Sequence, residues 1–501
     1  MLLDVVMLSR PAVAAALAVV FVLVIAVRRL LEIRKIRRLG KRASIIHSRF
    51  FGIDETLKVF EYARKHQNRE LWEMRFKEFN NHTMEVRVLG KRIIMTAEPE
   101  NVKAVLATQF LDFGKGETFH QQWQAFLGDS IFTTDGKEWS ASRHLIRPQF
   151  IKDRVSDLHI FERHTQRMLS LIPRDGSKID ISELFFRVTL DAATDFLLGA
   201  SVDSLKYGNV EFAVAFQRIQ AHMNNVSRAG PLRIFLDTKQ FKQDLKVLNA
   251  FVEPFVEKVS RMRPEELKGK DESDYNFLHA LAQFTRDPKM LRDQLVAILL
   301  AARDTTAGTM AWALYELAKR PDTVQRLRKE ILGTVGPTAA PTYEDLKGMR
   351  FLQHVINETL RLYPAVPFNV RVALKDTSLP HGGGPYGLDP VGVPAGTLVA
   401  YSTLTMQRRV DLFGPDVAEF KPERWDHWAP KAWQYVPFNG GPRICLGQQF
   451  ALTEMGYILC RLFQNFDAVE DRSTEPQIER CEVTISPGSG VWVAFRPAKN
   501  G

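Results

Sequence analysis

The stretch Phe438-Asn-Gly-Gly-Pro-Arg-Ile-Cys-Leu-Gly447 places one cysteine in a glycine-rich loop. Within it, Arg443 lies two residues before Cys445, and Phe438 lies seven residues before it. Residues 448–459 predict a helix, because apolar side chains recur there at close to helical spacing. The pattern therefore places Cys445 at, or just before, a helix N-terminus, where helix-end N–H groups favour a thiolate.

The composition of this loop suits a flat ligand that binds sulfur. Glycines such as Gly441 and Gly447 let the backbone approach a ligand closely, where a side chain would collide. Arg443 offers a cation to a carboxylate, and Phe438 offers an apolar ring. Haem with cysteinate as the axial ligand of its iron would use all of these groups. The alternative is a structural or reactive cysteine in a turn, because free cysteines are usually buried side chains.

Every fixed position of the pattern F-x-x-G-x-R-x-C-x-G is present, and the segment resembles the haem-binding loop of the cytochrome P-450 family of haem-thiolate monooxygenases. The resemblance implies a mainly α fold with small β-sheets (α+β). It implies haem b held by Phe438, Gly441, Arg443, Cys445 and Gly447, with Cys445 as the iron ligand and O2 as co-substrate. The chain has no glycine-rich dinucleotide fingerprint. Electrons from NADPH would therefore come through NADPH–cytochrome P-450 reductase, with cytochrome b5 as a further candidate partner.

Two more positions are predicted to hold the haem propionates. Trp139 and Arg143 are four residues apart on a short predicted helix before Pro148. By itself this pattern favours an aromatic ring packed under an arginine stem. The resemblance implies instead that W-x-x-x-R lies along the haem edge and binds a propionate, with Arg371 as the second propionate partner. Together with Arg443, three cations would face two carboxylates.

Residues 290–319 form the longest helical pattern, and polar residues interrupt its middle at Ala301-Ala-Arg-Asp-Thr-Thr306. At 1.5 Å per residue this helix would run roughly 45 Å, enough to cross a domain. By itself the interruption favours a solvent-facing polar turn. The resemblance implies that it lies above the haem, with Asp304 and Thr305 as the acid–alcohol pair that delivers protons. The family usually has glycine where this chain has Ala302, whose methyl group would narrow the oxygen groove.

A third motif is predicted to be structural. Glu358 and Arg361 are three residues apart on the helix predicted for residues 351–362, a spacing that commonly gives a weak surface pair. The resemblance implies that Arg424, in Lys421-Pro-Glu-Arg-Trp425, closes a buried network with both residues beneath the haem. Buried charges require such full pairing, so these residues are expected to hold the core rather than to take part in catalysis.

The N-terminal segment is predicted to anchor the chain in a membrane. Residues 11–27 carry no charge and have about the minimum length of a spanning helix. Residues 28–42 carry eight Lys or Arg against Glu32, a balance of +7 that accounts for most of the net charge of +10. A cleaved signal peptide would carry its positive charge before the apolar run. Charge after the run predicts a single-pass anchor whose following domain faces the cytosol.

These features divide the chain into a transmembrane anchor (residues 1–27), a basic juxtamembrane linker (28–48) and a haem-thiolate catalytic domain (49–501). The expected location is the endoplasmic reticulum membrane, with the basic stretch on lipid headgroups and no role in nucleic-acid binding. No proline occurs between Pro11 and Pro99, whereas membrane-bound members of the family usually have a proline-rich hinge. The three cysteines form no CxxC pair, which favours a reducing compartment.

Strand and turn signals predict two hairpins outside the helices. Residues 84–96 predict a hairpin with Gly90 at the turn, and residues 481–496 predict another around Pro487-Gly-Ser-Gly490. Between them the pattern is mainly helical, up to an extended, Gly/Pro-rich segment at 365–405. The expected architecture is therefore mostly helical, with small sheets contributed from both ends of the chain.

The substrate is predicted from a closer resemblance. The glycine-rich insertion at residues 379–390 and the run FNGGPRICLGQQFALTE resemble the fungal cytochrome P-450 group that hydroxylates n-alkanes and fatty acids at the chain end. The likeness also includes Phe51-Gly-Ile-Asp54 and predicts ω-hydroxylation of long-chain fatty acids or n-alkanes. Lys115 is a candidate partner for a fatty carboxylate. Candidate pocket residues, each of which could equally be core, are Phe113, Phe126, Ala301, Phe368 and Ile485.

Other functions stay open at this point. A monooxygenase of sterols or secondary metabolites is the main competitor. A haem-thiolate isomerase would typically lack the Asp304–Thr305 pair. A non-catalytic haem sensor or carrier would need no reductase and would not turn over NADPH.

Overall fold

The computed structural model of the chain describes residues 10–49, 52–88, 90–150, 158–208, 210–268 and 276–499. Residues 1–9 of the predicted anchor lie outside the described residues, as does Phe51 of the segment that resembles the fungal group. The described part consists mainly of α-helices with small β-sheets, as the sequence predicts.

The helix Arg10–Leu39, hereafter the anchor helix, precedes the rest of the fold. Side chains 13–31 are almost all exposed, including the large ring of Phe21 (66%). The helix is long and apolar enough to cross a bilayer by length and composition. It continues through the basic stretch to residue 39, and Ile36 near its end is fully buried. The first part of the segment predicted as a linker is therefore helical and packs against protein.

Long helices form most of the catalytic domain. They are Ile53–Arg64, Asn68–Phe79, Glu117–Leu127, Gly136–Ile146, His159–Ser170, Ile181–Leu198, Glu211–Ala229, Lys239–Arg261, Pro288–Leu317, Pro321–Val335, Arg350–Leu362 and Gln448–Asn465. Shorter helices are Pro99–Lys103, Ser204–Tyr207, Pro264–Lys268, Phe277–Ala282, Tyr343–Gly348, Thr403–Met406, Val410–Phe413 and Arg424–His427. Single turns of 3-10 or π geometry are Ala104–Thr108, Phe110–Asp112, Arg147–Phe150, Gly230–Phe235 and Gly441–Arg443.

The helix Pro288–Leu317, hereafter the long helix, lies in the core of this domain. The Asp287 side chain caps its first turn by accepting a backbone hydrogen bond. Residues 291–300 pack into one hydrophobic cluster and residues 307–317 into another. The polar run at 301–306 lies between the two clusters, and Ala301, Ala302 and Thr305 are only partly buried there.

The largest sheet of the described residues has six strands. Its strand order is Ser44–Ile45, Thr83–Val88, Lys91–Thr96, Leu398–Ser402, Phe368–Ala373 and Phe113–Gly114. The second and third strands are antiparallel across a turn at Gly90, whose φ is 80°, which confirms the first predicted hairpin. At the far edge Phe113 pairs with Ala373, so the segments that carry Lys115 and Arg371 lie side by side.

The second predicted hairpin is wrong. Glu479–Cys481 pairs antiparallel with Ile485–Pro487, so the turn lies at 482–484 and not at 487–490. Trp492–Pro497 belongs to a different, three-stranded antiparallel sheet. The other strands of that sheet are Phe466–Asp471 and Ile179–Asp180. The glycine-rich run at 487–490 therefore connects two different sheets, because the strand that follows it pairs with strands that are distant in sequence.

Candidate active site

The cysteine loop, residues 438–447, is closed by its own backbone. The N–H of Cys445 donates to the carbonyl oxygen of Phe438 at 3.0 Å. The helix Gln448–Asn465 starts directly after Gly447, which is its N-terminal flanking residue. The thiol therefore lies just before a helix N-terminus, where the helix dipole favours negative charge.

Close packing explains why residue 441 of the loop is a glycine. Gly441 has a φ of 64°, and a Cβ at this position would collide with the carbonyl oxygen of Leu106. Both the conformation and the space therefore require glycine. A Cβ on Gly447 would lie 3.8 Å from the Phe150 ring, an ordinary contact. Protein packing thus requires glycine at position 441 and leaves Gly447 free to contact a ligand.

Cys445 is an exposed residue although protein surrounds its side chain. Desolvation by nearby protein raises the pKa of Cys445, against the opposing effects of the Gly447 N–H and the Arg143 charge. These statements agree if the sulfur opens into a confined space within the protein. A metal ion that binds the sulfur holds it as thiolate. The donor is therefore suited to iron.

Two arginines flank the Trp139 ring beside the cysteine loop. The Arg443 guanidinium lies 4.5 Å from the ring centre and the Arg143 guanidinium lies 5.9 Å from it. Arg443 Nη2 also donates to Asp135 Oδ1 at 2.6 Å, and Arg143 Nη1 donates to the Ile444 carbonyl at 3.0 Å. Ring contacts and hydrogen bonds thus hold the Arg443 side chain of the loop, and that of Arg143 beside the loop, next to Trp139.

Two more cations come from the adjoining strands. Arg371 is 4% exposed, and its Nη1 donates to Asn369 Oδ1 at 2.9 Å. Lys115 Nζ lies 3.4 Å from the same oxygen. Burial, followed by the charges of Arg371 and Arg443, lowers the pKa of Lys115 well below its usual value. Burial and the charge of Arg371 likewise lower the pKa of Arg443 to about 10.

The charges around the loop do not balance without an anion. The cations are Lys115, Arg143, Arg371 and Arg443. Among the described residues they have one carboxylate ion-pair partner, Asp135. Cations gathered in a desolvated place are stable when an anionic ligand pairs with them. Haem b carries two propionates, so the residues present fit this group. Lys115 is a fourth cation at this place, beside the three arginines that were predicted.

Sequence reasoning missed Asp135, which organises this side of the site. Its Oδ1 accepts hydrogen bonds from Arg443 and from the N–H of Lys115 at 3.0 Å, and its Oδ2 accepts the N–H of Gly116 at 2.8 Å. The available signal was its place immediately before the helix Gly136–Ile146, a position that favours aspartate. Instead of capping that helix, the side chain connects two segments of the site.

The long helix presents Asp304 and Thr305 in different environments. Thr305 Oγ1 donates to the carbonyl oxygen of Ala301 at 2.7 Å. Asp304 is buried, and its Oδ1 lies 3.3 Å from Arg303 Nη1. That oxygen has no hydrogen-bond partner among the described residues. The structure therefore provides the predicted acid and alcohol on adjacent residues, but it does not join them by a hydrogen bond.

A cavity of about 180 Å³ borders Asp304. It is lined by the helices Ile181–Leu198 and Glu211–Ala229, by the long helix, and by the strands Glu479–Cys481 and Ile485–Pro487. Polar side chains from these elements, Glu183 among them, reach its walls. A space of this size and polarity can hold several water molecules, so it offers the carboxylate a source of protons.

The structure brings Glu358, Arg361 and Arg424 together. Glu358 and Arg361 are both fully buried. Arg361 donates to both oxygens of Glu358, at 2.9 and 2.8 Å, and Arg424 Nε lies 3.4 Å from Oε1. The network also includes two donors that the sequence did not indicate: the indole N–H of Trp425 at 3.0 Å and the backbone N–H of Lys421 at 3.0 Å. The carboxylate is therefore fully paired.

The five candidate pocket residues lie in different surroundings. Phe113, Phe126 and Ile485 are at most 3% exposed and belong to three separate hydrophobic clusters. Phe368 is partly buried against Trp72, with ring centres 5.2 Å apart. Ala301 is also partly buried. The structure thus leaves accessible surface chiefly on Ala301 and Phe368.

Cys445 lies near a group of cations that can pair with two carboxylates. This arrangement defines the class of protein: it is a haem-thiolate protein. The comparison with family models leads to the same class. The model described as cytochrome P-450 matches residues 55–492, and the chain belongs to that family. It is accordingly a monooxygenase that uses haem, O2 and electrons from NAD(P)H delivered through a reductase.

Three relatives match 82–97% of this chain. Cytochrome P-450 monooxygenase pvhE of Talaromyces variabilis is 47% identical over 97% of this chain and 95% of its own length. Cytochrome P-450 52A13 of Debaryomyces hansenii is 44% identical over 82% of this chain and 83% of its own. Cytochrome P-450 52A6 of Candida tropicalis is 40% identical over 88% of this chain and 89% of its own.

Proposed function

We propose that the protein hydroxylates long-chain fatty acids or n-alkanes at the terminal carbon. The observation that carries this proposal is the similarity to the fungal 52A relatives, at 40–44% identity, together with the insertion at 379–390. The apolar candidates Ala301 and Phe368 are consistent with a hydrocarbon substrate. A second candidate, oxidation of a secondary metabolite, is supported by the 47% identity to pvhE over nearly the full length of both chains.

The substrate is tested by parallel product analysis. Full-length protein, reductase and NADPH are supplied with an n-alkane, a fatty acid of equal carbon number, or a sterol. A terminal alcohol or diacid from either linear substrate supports the proposal. NADPH consumption without oxidation of either linear substrate contradicts it and favours the second candidate. The Cys445→Ala variant, run in parallel, measures background oxidation.

The residues of the site have separable tasks in this proposal. Cys445 Sγ would bind the haem iron, Arg143, Arg371 and Arg443 would hold the propionates, and Phe438 would offer an apolar contact to the haem. When bound, haem supplies oxygen activation and oxidation of the substrate C–H bond. The protein excludes bulk water from the buried side of the long helix and controls where protons enter.

Asp304 is proposed to carry protons from the bordering cavity. At rest its Oδ1 lies beside Arg303 at 3.3 Å, so the side chain must turn away from that cation before it can pass a proton to Thr305 Oγ1. Thr305 must likewise release the Ala301 carbonyl, which it donates to at 2.7 Å. Both movements are side-chain rotations. In this proposal, proton entry therefore requires that both contacts break.

Thr305→Ala is expected to uncouple NADPH consumption from product formation. The variant removes the hydroxyl that receives the proton, and a positioned proton donor contributes on the order of 100-fold to rate. NADPH oxidation, hydrogen peroxide and product are measured together. Thr309→Ala is the matched control, because Thr309 also bonds the carbonyl four residues before it, at 2.8 Å. Equal coupling in Thr305→Ala and wild type would remove Thr305 from this role.

Lys115→Met is expected to speed haem release roughly tenfold, which corresponds to one lost charge-assisted contact. Its position beside Arg371 favours a propionate partner over the fatty carboxylate. Haem transfer to an excess of apomyoglobin measures the release rate, and Lys137→Met, an exposed lysine nearby, is the control. If haem release is unchanged while affinity falls for a fatty acid and not for an alkane, Lys115 binds the substrate carboxylate instead.

The anchor helix is proposed to place the enzyme in the endoplasmic reticulum membrane with its catalytic domain in the cytosol. The basic residues after the apolar span support this orientation. Cytochrome b5 and anionic lipid are proposed as further partners on the same membrane face. Alkaline carbonate should leave the full-length protein in the microsomal pellet, and its extraction would contradict membrane spanning.

A further inference from the structure

Two features of the sequence meet at one place in the structure. The first is the glycine-rich insertion, which forms the inserted hairpin, Thr377–Gly383 paired with Asp389–Val393. The second is the absence of proline between the anchor and residue 99. The C-terminal end of the anchor helix packs on this hairpin, and the segment that follows the helix hydrogen-bonds to its backbone.

The backbone of residues 41 and 42 is bound to the inserted hairpin by three hydrogen bonds. The N–H of Lys41 donates to the Pro390 carbonyl at 2.8 Å, and the Gly392 N–H donates to the Lys41 carbonyl at 2.9 Å. The Gly384 N–H donates to the Arg42 carbonyl at 3.0 Å. Backbone contacts of this kind fix the position of the chain much more closely than a flexible linker would.

Glycines allow the helix end to touch the hairpin directly. A Cβ on Gly40 would lie 2.6 Å from the Pro390 oxygen, and a Cβ on Gly392 would collide with the carbonyl oxygen of Ile36. Ile36 is itself 0% exposed. The two surfaces are therefore complementary at the level of backbone atoms, and glycine is required on both sides of the contact, at Gly40 and at Gly392 just after the insertion.

Ion pairs extend the contact along the helix. Lys35 Nζ lies 2.8 Å from Asp376, and Arg87 Nη2 lies 2.6 Å from Glu32. Arg42 Nε donates to the buried Glu85 at 2.7 Å. Partly exposed ion pairs add little energy individually, so the buried Ile36 and the backbone hydrogen bonds contribute most to the stability of this contact.

We propose that the inserted hairpin is a rigid joint that fixes the anchor helix to the catalytic domain and so sets one orientation of the domain on the membrane. Ile36 and Gly40, which touch the hairpin, lie roughly 14 and 20 Å beyond Val27, the last residue of the uncharged span, at 1.5 Å per residue. The joint therefore lies just outside the headgroup layer of the bilayer. The inference rests on the anchor spanning a membrane, and it is independent of the substrate.

The surface beside the joint suits anionic lipid. Basic side chains on this part of the helix are exposed and make no ion pair among the described residues. They are Arg28, Arg29, Arg34, Arg37 and Arg38. At about 100° per residue these arginines are spread around the helix, so they surround it near the headgroups whichever side packs on the hairpin. Each basic residue near an anionic surface adds favourable electrostatic attraction.

The joint is tested by distance measurement in bilayers. Holoprotein with spin labels at Arg28→Cys and Lys65→Cys is placed in nanodiscs of phosphatidylcholine and phosphatidylserine. The native cysteines do not interfere, because Cys460 and Cys481 are buried and Cys445 is the proposed haem ligand. One narrow interspin distance is expected for the parent. Gly392→Val and Ile36→Ser should lose it and give a broad distribution.

The Ile36→Ser arm decides the outcome, because this residue lies outside the catalytic domain and its replacement leaves that domain folded. Tyr386→Ser, at the tip of the same hairpin and 85% exposed, should keep the narrow distance. A broad distribution in the parent, or a narrow one that survives Ile36→Ser, would overturn the joint. Carbonate extraction of the same variants reports separately on membrane spanning.

Discussion

Cys445→Ala is expected to abolish NADPH-dependent oxidation and to remove the spectral signature of thiolate-ligated haem. No other cysteine can replace it. Cys460 and Cys481 are buried, and desolvation raises the pKa of each to about 12. They are therefore neutral thiols inside the core, unable to reach or bind iron.

The measurement is the difference spectrum of the reduced protein with and without carbon monoxide, together with product formation. Cys460→Ala is the matched control: it removes a cysteine from the helix that follows the loop, and it should keep both the spectrum and the activity. A thiolate spectrum that persists in Cys445→Ala, or that disappears in Cys460→Ala, would contradict the assignment of the iron ligand.

Glu358→Ala is expected to prevent accumulation of haem-loaded protein. The substitution leaves the buried guanidinium of Arg361 without its carboxylate and removes an acceptor from Arg424 and Trp425. Removing one partner of a buried pair costs about 3–5 kcal/mol, a large part of the roughly 5–15 kcal/mol by which domains are stable. The loss also disturbs the segment that leads to the cysteine loop.

Holoprotein per unit of total protein, measured by haem content after purification, tests this expectation. Glu61→Ala is the control, because Glu61 forms an exposed pair with Lys65 at 2.7 Å four residues away, and removal of such a surface pair should leave the stability nearly unchanged. A Glu358→Ala holoprotein with normal haem content and thermal midpoint would show that the network is not required.

The sequence could predict those parts of the site that form motifs of fixed spacing. The loop around Cys445 and the Glu358–Arg361 pair depend on local backbone geometry, so their spacing carries the information. The partners of these residues come from distant segments. Trp425 could be recognised only as part of a resemblance, and Asp135 was missed because its partners Arg443 and Lys115 lie on separate elements.

Long-range pairing also explains the error in the fold. Residues 487–490 have the composition of a hairpin turn, but the strand Trp492–Pro497 pairs with Phe466–Asp471 and Ile179–Asp180. A turn signal shows where the chain bends and does not identify the partner of the following strand. The joint at the inserted hairpin was invisible for the same reason, since it brings residue 41 to residue 391.

The environment of Asp304 shows another limit of local patterns. Sequence reasoning pairs residues three or four apart on a helix, because these share a face, and adjacent residues generally do not. Arg303 nevertheless contacts Asp304, since both side chains are confined at the polar gap between two hydrophobic clusters. The tertiary packing, rather than the helical spacing, determined the partner of this carboxylate.

The most direct test of the account is oxygen isotope analysis of the product. The full-length enzyme with reductase, NADPH and a long-chain n-alkane or fatty acid is run under ¹⁸O2. The account predicts a terminal alcohol in which the new hydroxyl carries one labelled oxygen atom, and no product without NADPH. Product whose oxygen comes from water, or product formed without O2 and NADPH, would contradict monooxygenase chemistry at the chain end.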